Sequence, residues 1–125
     1  MENLLAIALG GAVGALLRYG CTVWVGGMAP RGFPWGTLSV NVVGSFLLGV
    51  LAVILAQRVS ISPAVKHGVI IGVLGGFTTF STFSLDTWLL AEEGYGWRAG
   101  AYVVASVVTA LCAVALGAWL GRQLV

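Results

Sequence analysis

The sequence has very little charge. Its 125 residues include six Lys+Arg and four Asp+Glu, 8% in all, against 59% hydrophobic residues and 19 glycines. Soluble domains carry about a quarter charged residues, and a chain this short cannot bury so much apolar surface in its own core. A water-soluble domain is therefore excluded, and so is a disordered chain, which would be polar. The mean hydropathy of +1.03 agrees. No basic stripe is present, which argues against nucleic-acid binding. Cysteine is scarce: Cys21 and Cys112 lie in apolar stretches with no CxxC pair, and each reads as a small buried hydrophobe. No Ser-His-Asp set, metal cluster or phosphate loop followed by Lys occurs, so no enzyme is expected. Met1-Glu2-Asn3 lacks the basic region and cleavage site of a signal peptide, so the first apolar stretch is expected to be retained.

What remains is long apolar runs. Residues 32–57, 67–85 and 99–121 contain no Asp, Glu, Lys or Arg, and residues 3–25 contain only Arg18. A membrane-spanning helix needs about 20 such residues. The reading is an all-α integral membrane protein, one domain over 1–125, with spans near Asn3–Val25, Trp35–Ala56, His67–Leu90 and Trp97–Leu120. Pro30, Pro34 and Pro63 fall between these spans, where proline costs no ladder bond. Four spans put both termini and the second loop on one side, A, and loops one and three on side B. Trp24, Trp35, Trp88 and Trp97 then lie at the side-B interface and Trp119 at side A, as an aromatic belt requires. Arg58, Lys66 and Arg122 lie on side A; Arg31, Arg98 and the side-B-leaning Arg18, about 22 Å into its helix, balance them. With no Lys/Arg bias to orient it, the chain reads either as following another cue or as inserting both ways. In the second case an antiparallel homodimer supplies the symmetry that many transporters build from inverted repeats.

Small residues recur every fourth position at Ala6, Gly10 and Gly14, at Gly68, Gly72 and Gly76, and at Ala113, Gly117 and Gly121. Such seams let helices approach closely in lipid, either within one subunit or between two. Polar groups in hydrocarbon normally face partners or water. Asn41 shares a stripe with Thr37, Ser45 and Gly49 and reads either as interhelical glue or as an amide donor facing a pore. Gly75-Gly76-Phe77-Thr78-Thr79 lies mid-span, where glycine and hydroxyls loosen the helix, so the third helix is expected to break there and to offer free carbonyls to a cation. Phe77, Phe80 and Phe83 are expected on one face, interleaved with Thr79, Ser81, Thr82 and Ser84. Tyr102, Ser106 and Thr109 form a polar track on the fourth span. Asp86 reads as an interface charge or a partner of Arg18. These groups are neutral donors plus ring edges of positive quadrupole charge, with no acid at mid-depth, and together describe a small-anion path.

GGAVGALLRY (10–19), NVVGSFLLG (41–49) and GVLGGFTTFSTFS (72–84) resemble the small fluoride channels called Fluc or CrcB proteins, through all four spans. The resemblance implies a dual-topology antiparallel homodimer with two pores that exports fluoride passively from the bacterial cytoplasm across the inner membrane. It implies an anion pathway of Asn41, Phe80, Phe83, Thr37, Ser81, Thr82, Tyr102, Ser106 and Arg18, the last in a vestibule. It also implies a structural Na+ at the dimer interface, held by the Gly75 and Thr78 carbonyls. Ala110 and Val114 depart from it, standing where family members carry hydroxyls. Two rival readings are a small multidrug-type cation exporter, disfavoured because the first span holds Arg18 and no acid, and a non-conducting membrane subunit.

Overall fold

Backbone polar groups cannot be left bare in hydrocarbon, so apolar stretches of this length must fold as helices. The computed structural model describes residues 1–125 and contains four helical spans, Glu2–Met28, Trp35–Gln57, Pro63–Glu92 and Gly96–Gln123, each long and apolar enough to cross a membrane. Their ends reach beyond the expected limits, most of all in the third span. Pro63 is its first helical residue rather than part of the loop, a position where its missing N–H costs nothing. Ser62 caps that turn, its hydroxyl accepting from the Val65 N–H at 3.4 Å.

The spans pair as first with third and second with fourth. Glycine makes these pairings close. A Cβ on Gly10 would strike the Gly68 carbonyl, one on Gly14 the Val73 carbonyl, and one on Gly76 would come within 2.8 Å of the Gly11 carbonyl. In the other pair, Gly49 faces the Val114 carbonyl and Gly117 the Phe46 carbonyl. Of the two readings of the small-residue seams, the structure thus shows packing within one subunit.

The third span changes course part-way. Residues 68–74 wind in wider, π-type turns, and 75–77 return to α geometry. Thr78 (φ −83°, ψ 156°) and Thr79 (φ −152°, ψ 117°) are extended, and the helix resumes as Phe80–Glu92. The part before the interruption lies against the first span; the part after it packs on the fourth. That redirection brings the polar segment between the second and fourth spans.

Only 20 of the 125 residues are buried within the chain, so most of its apolar side chains need cover from outside it. All five tryptophans expose at least 39% of their surface, in keeping with residues of a membrane interface. The cysteines differ from expectation: Cys112 is exposed and Cys21 half-buried, because both lie on the outer surface of their helices rather than in the glycine seams.

Candidate functional site

An interrupted helix leaves backbone groups without ladder partners, and surrounding side chains satisfy several of them here. The Thr79 N–H donates to Asn41 Oδ1 at 2.7 Å, and Asn41 Nδ2 donates to the Thr79 carbonyl at 3.0 Å. Thr79 Oγ1 accepts from the Thr82 N–H at 3.2 Å, capping the downstream helix, and donates to Thr82 Oγ1 at 3.1 Å. Upstream, the Thr78 N–H and hydroxyl both donate to the Leu74 carbonyl at 3.0 Å.

Beside this interruption lies an open pocket of about 260 Å³. Asn41 and Ser45 line it from the second span, Thr78, Thr79, Phe80 and Phe83 from the third, and Ser106, Val107 and Ala110 from the fourth. Ser106 is 7% exposed and its Oγ has no hydrogen-bond partner. A buried hydroxyl without a partner is costly, so this one is free to bond a group from outside the chain. The Asn41 amide has two N–H groups and spends one on Thr79, leaving one donor. Phe80, the first residue of the downstream helix, places the positive end of that helix at the pocket. Every lining side chain is uncharged.

Apart from Arg18 and Gly75, neither of which lines the pocket, the expected site residues separate into three groups. Asn41, Phe80, Phe83, Thr78 and Ser106 come together in the pocket. Ser81 and Thr82 lie beside it, their hydroxyls against Thr79 Oγ1 at 3.3 and 3.1 Å. Thr37 and Tyr102 are buried nearer side B, 4% and 0% exposed. Tyr102 packs on Phe83 with centroids 5.2 Å apart, meets Phe33 edge-on at 5.4 Å, and donates to Asp86 Oδ2 at 3.3 Å. Asp86 is therefore engaged by Tyr102 rather than by Arg18, and half-buried Arg18 lies outside the pocket.

Phe77, Phe80 and Phe83 do not share a face. Phe77 is buried, with its ring against Gly44, whereas Phe80 is 78% exposed and Phe83 is buried. The two extended residues between Phe77 and Phe80 cancel the i, i+3 relation. The Phe80 and Phe83 rings stay adjacent, 5.4 Å between centroids. Ser84, Thr87 and Thr109 return their hydroxyls to carbonyls four residues back, so none is a free donor. The pathway implied by the resemblance does not include Thr79 or Ser45, yet both line the pocket. Ser45 was legible from its four-residue spacing to Asn41; the grip on Thr79 needed three-dimensional placement.

Helical length and composition, with a mid-depth pocket of neutral donors, define a multi-pass membrane protein equipped to pass a small solute. A family model described as CrcB-like protein, Camphor Resistance (CrcB), matches residues 5–118. The chain belongs to that family. It is similar to the Fluoride-specific ion channel FluC of Agrobacterium fabrum (strain C58 / ATCC 33970), 47% identical over 124 residues and 99% of each chain. The protein of the same name from Rhizobium meliloti (strain 1021) is 46% identical over 125 residues and 100% of each. That of Methylococcus capsulatus (strain ATCC 33009 / NCIMB 11132 / Bath) is 49% identical over 122 residues, 98% of this chain and 54% of the other.

Proposed function

We propose that the chain is a fluoride-specific ion channel of the bacterial inner membrane, exporting fluoride passively and relieving its toxicity. Full-length similarity to proteins named for that activity carries the reading, and the pocket chemistry agrees with it. Fluoride holds its hydration shell tightly, so a pathway must offer replacement donors. Ser106 Oγ, the second Asn41 N–H, the helix terminus at Phe80 and the Phe83 ring edge are donors of this kind. A fixed cation at that depth would trap the ion; these neutral groups let it leave. Thr37, Ser81, Thr82 and Tyr102 extend the polar surface on either side, and Arg18 adds positive potential near side B. No observation favours a cation exporter or a non-conducting subunit. In a bacterium stripped of its own fluoride exporter, the gene should restore growth in fluoride. Failure of a correctly inserted, expressed protein to do so would refute the reading.

The assembly belongs to the same proposal: two chains in antiparallel orientation, the arrangement that the balanced loop charges permit. With Cys21 and Cys112 replaced by Ala and Val125→Cys introduced, an impermeant thiol reagent should label the terminus from both membrane faces. One-sided labelling would remove dual topology. A structural Na+ at the dimer interface also fits. Asn41 takes the Thr79 N–H that would close on the Gly75 carbonyl, and Thr79 Oγ1 takes the Thr82 N–H that would close on that of Thr78. Both carbonyls thereby lack their α-helical N–H partners, and hard cations prefer such oxygens; a bound Na+ would supply positive charge there. Unfolding in detergent should move to higher temperature with Na+ but not with N-methylglucamine.

A further inference from the structure

Asn41 reads naturally as a donor to the anion, but its two hydrogen bonds assign it another task. An extended residue presents its own N–H and C=O toward the same side, as a strand does to its neighbour. A helical residue points them in opposite directions along the axis. The Asn41 carboxamide, one donor and one acceptor side by side, engages both groups of Thr79, at 3.0 and 2.7 Å across 38 residues of sequence. That grip fits only the extended conformation Thr79 adopts (φ −152°, ψ 117°). We propose that Asn41 is a positioning residue that selects the interrupted form of the third span by binding Thr79 as a strand edge would. Without it the Thr79 N–H is free to close on the Gly75 carbonyl and rewind the helix. Rewinding would turn Phe80 and Phe83 away from the pocket and consume a carbonyl that the interruption leaves open. The significance for conduction rests on the fluoride-channel reading; the backbone effect does not.

The test is the Cα and Cβ chemical shifts of Thr78 and Thr79 in isotope-labelled protein in lipid, read beside fluoride efflux. Wild type should show extended values at both residues. Asn41→Leu should move them to helical values and lower efflux at least about tenfold. Asn41→Asp retains an acceptor for the Thr79 N–H in either protonation state, so its shifts should stay extended while efflux still falls. Unchanged Thr78 and Thr79 shifts in Asn41→Leu would overturn the proposal, as would wild-type efflux from a rewound variant. Should Asn41→Leu fail to insert, Asn41→Asp decides alone. Its Thr79 amide resonance should move selectively, because the acceptor has become a carboxyl oxygen; an unmoved resonance would overturn the proposal. A wild-type protein with extended shifts and no fluoride efflux would instead fault the channel reading.

Discussion

Before Thr78 the third span meets its neighbour through bare backbone, whereas after Thr79 it meets its neighbours through hydroxyls and aromatic rings. Gly72 and Gly76 leave no room for a Cβ against the first span, and Gly68 leaves little. From Thr79 to Phe83 the same span caps itself, stacks Phe83 on Tyr102 and lines a pocket with Ser106. In lipid, packing of small residues holds helices together, and polar groups are retained where they have a use. One span therefore divides the labour, and two extended threonines mark the boundary.

The largest expected effect breaks the packing part. Gly14→Val would drive a side chain into the Val73 carbonyl and should cost about 3 kcal/mol or prevent folding. Gly26→Ala, open on all sides within the chain, should stay within about 0.5 kcal/mol of wild type. Unfolding in detergent distinguishes the two; equal stabilities would dissolve the contrast. Next in size, Ser106→Ala should lower fluoride efflux roughly tenfold with little loss of stability, since its Oγ bonds nothing in the protein. Ser84→Ala is the matched control, because that hydroxyl is spent on the Phe80 carbonyl at 2.9 Å. Thr79→Val keeps a β-branched, extended-tolerant residue but loses the cap on Thr82, for about 1 kcal/mol of stability. The smallest effect sharpens the polar side: Ala110→Ser adds a hydroxyl to the pocket wall and should change efflux by about twofold. No change there would show that Ser106 already meets the need for donors on the fourth span.

Much of the architecture was legible in the sequence, since charge-free stretches of span length leave few alternatives in a membrane. Tryptophan placement and glycine spacing pointed to the register and the seams, though spacing could not say that the seams close within one chain. The third span begins four residues before its expected start at His67, at Pro63, because proline stops a helix from one side and starts it from the other. The candidate site was legible as a set of residue types but not as contacts. Phe77 looked equivalent to Phe80 until the extended pair between them removed the helical period, and Asp86 faced Tyr102 rather than Arg18. The wide turns over 68–74 carry no sequence signal, because Gly, Val, Ile and Leu there suit an ordinary membrane helix equally well.

Paired fluoride- and chloride-electrode recordings of efflux from liposomes, with a potassium ionophore to carry the counter-charge, bear most directly on the neutral-donor pathway. Rapid fluoride release with chloride retained, and a Ser106→Ala channel slowed roughly tenfold, is the expected result. Release no faster than from protein-free liposomes, or chloride leaving as readily as fluoride, would contradict it.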